Sequence, residues 1–224
     1  MNYKLGSLLV VLVTVTTLLL YFRPTIHIKD NCQALVTPES ISLSTSQVIV
    51  VQSLGGFNAE ITTCQKKGAI WQRAVSAPFP AVVGKGGVVL AGEKKEGDLK
   101  TPAGLYPLGE AFGTQPLALK MDYKYITPED KFIDDIESEF YNTWVSGQTN
   151  AKSYESMQIA PYKMGVVINY NMSPTIPGKG SAIFMHLSRS LAIPTFGCVA
   201  MDEHHLLALL HWLDKKQHPY IYIT

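Results

Sequence analysis

Residues 181–201 read SAIFMHLSRSLAIPTFGCVAM, and the remainder of the chain takes its meaning from them. The first part, Ser181–Leu187, is short and apolar like a buried strand. The two-residue period of an extended chain puts Ala182, Phe184 and His186 on one face. A proline-containing loop follows, then Gly197-Cys198, then Asp202, a residue suited to capping a helix. This order of parts meets the needs of thiol catalysis. The attacking species is a thiolate, formed when an imidazole within hydrogen-bond reach takes the thiol proton. Glycine before the cysteine lets a substrate carbonyl approach the backbone, and N–H groups around Gly197 and Cys198 are candidate oxyanion donors. On residue types alone, a buried apolar cysteine and a satisfied core histidine are the competing reading.

Downstream, Leu206, Leu207, Leu209, Leu210 and Leu213 form an apolar stripe at helical spacing, with Glu203 at the start and Lys215-Lys216 at the end. Pro219 stops the helix, and Tyr220–Thr224 reads as a last short strand. Upstream, Met164–Tyr170 and Gln47–Ser53 are strands by their β-branched content. Residues 59–64 and 69–75 form a hairpin around Lys66-Lys67-Gly68, and Val82–Ala91 is a strand bent at Gly86-Gly87. The segment Gly92–Gly104 (GEKKEGDLKTPAG) reads as turns throughout, including Thr101-Pro102-Ala103-Gly104. Residues 115–163 show no clear period. Thr127-Pro128-Glu129-Asp130 suits a turn or helix start, and Asp134, Asp135, Glu137 and Glu139 suit a solvated loop. Many short strands and one good helix predict a single mainly β or α+β domain.

The N-terminus carries a different signal. Residues 5–22 (LGSLLVVLVTVTTLLLYF) are uncharged, flanked by Lys4 and Arg23. As a helix they would reach about 27 Å, close to the hydrocarbon thickness of a bilayer. No small-x-small site follows, so a retained signal anchor over 1–23 is favoured over a cleaved signal peptide. Residues 24–46, rich in Ser, Thr and Pro, read as a tether or a ragged first strand, leaving 47–224 as the folded domain. Export would favour disulfides. Cys32 and Cys64 are a plausible pair that leaves Cys198 free, although spacing does not fix connectivity and two unpaired thiols are the alternative.

Composition narrows the function. Of 19 basic residues only three are arginines, against 18 acidic ones, and the net charge is +1. That lacks the basic surface nucleic acids require, so no nucleic-acid partner is expected. The 46% hydrophobic content excludes a largely disordered chain. His186, Cys198, His204, His205 and His211 are metal-ligand types, but no two stand at a familiar ligand interval, so neither metal nor cofactor is expected.

Phe184–Leu187 followed by Pro194-Thr195-Phe196-Gly197-Cys198-Val199-Ala200 resembles the signature of the L,D-transpeptidase catalytic-domain family. Glu96-Gly97-Asp98 and Thr101-Pro102-Ala103-Gly104 are similar to that family's Thr-Pro-x-Gly turn. The likeness spans about residues 47–224. It implies a β-sandwich-like, mainly β catalytic domain with a C-terminal helix, behind an N-terminal membrane helix. It further implies a bacterial envelope enzyme, held in the inner membrane by residues 5–22, whose periplasmic domain acts on peptidoglycan stem peptides. Cys198 is then the nucleophile and His186 the general base; Thr195 opens the motif and Gly197 precedes the sulfur. Arg189 is a candidate grip for a substrate carboxylate, with a plain surface role as the alternative. Three features depart from the common pattern: Phe196 replaces a histidine, Ala200 replaces Arg or Asn, and the His-to-Cys interval is short. Resolution of the acyl-thioester by an amine gives transpeptidation. Resolution by water gives L,D-carboxypeptidase or endopeptidase action. An inactive, membrane-tethered cell-wall binding module on the same fold is the alternative of another class.

Overall fold

The computed structural model describes residues 32–36, 41–42, 44–75 and 77–224. The expected membrane segment at 5–22 lies outside these residues, and among them no helix is long and apolar enough to cross a membrane.

Strands β1 (Gln47–Gly55), β14 (Tyr220–Ile223), β6 (Thr101–Gly113), β11 (Met164–Ile168), β12 (Phe184–Leu187), β13 (Val199–Met201), β4 (Phe79–Val82) and β2 (Asn58–Lys67) are hydrogen-bonded in that order. Strand β2 then pairs back onto β1 over Gln47↔Gln65 to Gly55↔Asn58. The expected sandwich is therefore a closed circuit of eight strands, which leaves none of the eight with a free edge along the circuit. Its narrowest seam is the single pair Ala200↔Val82 between β13 and β4.

Alternation along the strands builds separate cores. One parity of each strand, including Ile49, Ile61, Val166, Met185, Val199 and Ile221, joins a central cluster. Helix α2 (Glu203–Trp212) adds Leu206, Leu209 and Leu210 to it, followed by Leu213 at its C-cap, so most of the predicted leucine stripe is fully buried. Asp202 caps this helix as expected, accepting from the His205 N–H at 3.1 Å. The opposite parity of β1, Val48 and Val50, packs outward with Trp71, Cys64 and Cys32.

Cys32 belongs to a helical turn, α1 (Cys32–Leu35), and is bonded to Cys64 with their Cα atoms 5.6 Å apart. Cys198 is free. Part of the expected tether is thus a cover for the outer face of the sheet. Gln33 adds to it by accepting from the Trp71 N–H at 3.0 Å.

Three expectations need correction. Thr101-Pro102-Ala103-Gly104 is the start of β6, a 13-residue strand, and not a reversal. It pairs in parallel with β5 (Val88–Leu90) through Val88↔Thr101 and Leu90↔Ala103. Proline is tolerated at the opening of a strand, and Gly104 takes φ +139° where the Tyr106 hydroxyl crosses it. Second, residues 115–163 hold regular structure. Strand β7 (Tyr123–Tyr125) pairs in parallel with β6, and β8 (Asp130–Ile133) lies between β9 (Trp144–Ser146) and β10 (Tyr154–Ser156) in a separate three-stranded sheet. Third, the predicted strand Val82–Ala91 is divided: β4 ends at Val82, the chain turns at Lys85-Gly86, and Val88–Leu90 is β5 with a different partner. The strand expected over Ser181–Leu187 begins at Phe184. The hairpin of β2 with β3 (Ile70–Arg73) turns at Gly68-Ala69, one residue later than expected.

Candidate active site

The functional side chains come from the outward parity of β12 and from the turn leading into β13. These strands run parallel in the register Met185↔Val199 and His186↔Ala200. Met185, Leu187, Val199 and Met201 point into the central core, so Phe184, His186, Cys198 and Ala200 share the other face. His186 and Cys198 are therefore diagonal neighbours. The small Ala200 stands across from the imidazole and leaves the space before it open. His186, Cys198 and Ala200 all line one pocket of about 490 Å³, with Arg189 and Phe196 also on its wall. Arg189 is exposed, and Phe196 is 79% exposed.

Cys198 is 6% exposed. Its sulfur donates to the Ala182 carbonyl at 3.3 Å and accepts from the Phe184 N–H at 3.3 Å. Neither bond goes to His186. A thiol donating to a carbonyl still carries its proton, so the resting group is neutral. Burial pushes the Cys198 thiol up, and the Glu155 charge adds to this. The Phe184 N–H, the Tyr162 hydroxyl and the Lys94 ammonium pull the other way without overcoming it.

His186 is also neutral. Its Nδ1 lies 2.9 Å from the Leu187 carbonyl, which can only accept, so the ring proton is on Nδ1 and the Nε2 lone pair is free. Burial lowers its pKa to about 4; the Leu187 carbonyl opposes this and the nearby Arg189 charge reinforces it. The arrangement is a thiol and an imidazole base before proton transfer, not an ion pair.

The turn before the sulfur is braced from below. Thr195 Oγ1 donates to the Cys198 carbonyl at 2.6 Å and accepts from the Gly197 N–H at 3.2 Å. Both residues were expected to bind substrate or an oxyanion, but the Thr195 hydroxyl and the Gly197 N–H are committed to the turn itself. Gly197 has φ +151°, and a Cβ there would meet the Lys100 carbonyl at 3.1 Å, so glycine is required by shape. Thr101 Oγ1 donates to the Gly197 carbonyl at 2.7 Å and accepts from the Gly84 N–H at 2.8 Å. The Thr-Pro-Ala-Gly segment thus acts on the site by tying β6 to the nucleophile turn.

Three residues outside the sequence expectations complete the site. Tyr162, 3% exposed, sets its ring edge-on to His186 with centroids 5.1 Å apart. Its hydroxyl donates to Glu155 Oε1 at 2.6 Å, and its ring packs in one buried cluster with Cys198 and Phe184. Asn142 accepts from the Ala182 N–H at 3.2 Å, and so holds a non-glycine residue at φ +53° whose carbonyl receives the thiol. No periodic pattern marks these positions; tertiary packing brings them in.

Elsewhere, His205 stacks on Phe79 with centroids 4.2 Å apart and bonds Asp202 at 2.6 Å. Among the described residues, no three His, Cys, Asp or Glu side chains gather as a metal site would require.

A cysteine and a histidine facing one pocket from adjacent parallel strands define the class of site. Residues 61–221 match the L,D-transpeptidase catalytic domain (YkuD), and the chain belongs to that family. Among solved structures, the chain is similar to the helical cell shape determining protein Pgp2 from Campylobacter jejuni, at 16% identity and a TM-score of 0.38. That match covers 80% of this chain and 47% of Pgp2, so the chain spans about half the length of that protein. No curated protein sequence matches it.

Proposed function

We propose that the chain is a peptidoglycan L,D-transpeptidase working through a Cys198 acyl-enzyme. The observation that carries this reading is that Cys198 and His186, an imidazole with its Nδ1 bonded to the Leu187 carbonyl, line one pocket in a chain of this family. The thiol proton turns from the Ala182 carbonyl to His186 Nε2, and the sulfur attacks the amide carbonyl of a stem peptide. Collapse of the adduct breaks the C–N bond, His186 returns the proton to the leaving amine, and a thioester remains. An acceptor amine then forms the new amide and regenerates the thiol. Arg189 at the pocket wall is proposed to hold a substrate carboxylate. Anchoring through residues 5–22, with the domain in the periplasm, belongs to the same proposal and rests on the uncharged N-terminal run.

A second reading, a binding module without catalysis, is favoured by one observation: the buried thiol bonds the Ala182 carbonyl and not His186. Incubation of the protein with purified muropeptides, beside Cys198→Ala, separates the possibilities. Cross-linked products made only by the parent protein support transpeptidation. Trimmed products made only by the parent protein give the carboxypeptidase or endopeptidase reading. Binding with no turnover in either protein leaves the module.

A further inference from the structure

Proton transfer from Cys198 to His186 has no need of Glu155, yet this carboxylate is tied to the sulfur through one residue. Tyr162 links them, its proton given to Glu155 at 2.6 Å and its ring packed in one cluster with Cys198 and edge-on to His186. Phe112 and Phe184 fix the Tyr162 ring edge-on, with centroids 5.9 and 5.5 Å away, so the hydroxyl stays where it is unless that cluster opens. We propose that Glu155 and Tyr162 are paired positioning residues that tune the nucleophile, the carboxylate disfavouring the Cys198 thiolate and the hydroxyl bonded to that carboxylate screening it. This rests on Cys198 being the nucleophile.

The physical basis is one proton and one charge. A carboxylate near a developing thiolate repels it, and a phenol that gives its single proton to that carboxylate offsets part of its charge. The other charged groups around the pocket are differently engaged. Glu96 accepts from Tyr141 and Ser181, at 2.6 and 2.8 Å. Lys94 is bound to Asp98 at 2.7 Å. Asp134 lines the wall with Glu155, and Arg189 bears on His186. Burial, then the Glu155 charge, are the two largest influences holding the thiol protonated, in keeping with this geometry.

The test is the pH dependence of Cys198 alkylation by iodoacetamide, followed by intact mass on the full chain with its disulfide intact. Glu155→Gln keeps an acceptor for Tyr162 but removes the charge. Its profile is expected to move about one pH unit lower, which is about tenfold faster alkylation at a fixed pH below the midpoint. Tyr162→Phe keeps the ring on His186 but removes the hydroxyl, and its profile is expected to move higher. General loosening of the pocket would accelerate both variants together. Profiles that superimpose, or that shift in one common direction, overturn the pairing while leaving Cys198 as nucleophile. If Tyr162→Phe does not fold, an unmoved Glu155→Gln profile overturns it alone. A parent protein that resists alkylation at every pH removes the nucleophile and this proposal with it.

Discussion

At the scale of single residues, the site is set by where two protons sit. The Leu187 carbonyl holds the imidazole proton on Nδ1 and the Ala182 carbonyl holds the thiol proton, so the acceptor lone pair at Nε2 is ready before substrate arrives. Because burial lowers the His186 pKa to about 4, the base form persists well below the ordinary value of 6.5. The acid limb of a kcat/KM profile is accordingly expected near pH 4; a limb at 6.5 would place His186 in a wetter setting than this one. His186→Gln should fold normally and lose activity by roughly 100- to 10,000-fold, the usual worth of a positioned general base. Of these residues the sequence made His186 and Cys198 legible, because strand parity and a preceding glycine are local signals. Thr195 and Gly197 were legible as positions but not as roles, since only the folded turn shows their polar groups bonded to each other. Tyr162, Glu155 and Asn142 were not legible, since Tyr162 meets His186 and Asn142 meets Ala182, 40 residues on, only in the folded chain.

Among the elements, strands with an unbroken apolar, β-branched or aromatic run were readable wherever their partners lie, and β6 and the short strands between residues 123 and 156 were not. Gln47–Gly55 and Asn58–Lys67 announce themselves by β-branched runs joined at a glycine turn. Strand β6 begins with Thr-Pro-Ala-Gly, which local chemistry assigns to a turn; its partners are β5, β11 and β14, and their pairing overrides that preference. The three-stranded sheet is pinned by Asp130 at the start of β8. That carboxylate accepts from Trp144 Nε1 at 2.8 Å, from the Thr127 N–H at 2.7 Å and hydroxyl at 2.9 Å, and from Ser146. Burial alone would raise its pKa, but these donors outweigh it and bring it down to about 2. A carboxylate depressed on folding stabilises the native state above the ordinary value of 3.8, and that stabilisation is lost as pH falls through about 2. Chemical denaturation as a function of pH should therefore show a loss of stability across this acid window, and Asp130→Asn should lessen its slope. Parallel curves for the two proteins would mean that Asp130 does not hold the sheet.

For the molecule as a whole, the closed strand circuit isolates one central core and leaves two outer faces that need cover. One is covered by the three-stranded sheet, whose Phe132 and Trp144 pack on Phe112 and Phe184. The other is covered by α1, joined to β2 through Cys32–Cys64 across 32 residues. Closing a loop of that length lowers the entropy of the unfolded chain by an amount worth about 3 to 4 kcal/mol. Cys32→Ser with Cys64→Ser is expected to lower Tm by roughly 10 °C in a domain of this size. An unchanged Tm would mean that packing alone seats α1. The central claim, that the sulfur of Cys198 carries the acyl group, is tested most directly by intact-mass measurement after treatment with a carbapenem. The account predicts a single covalent adduct that maps to the peptide bearing Cys198 and is absent from Cys198→Ala. A folded protein whose mass does not change, or an adduct that persists in Cys198→Ala, would contradict it.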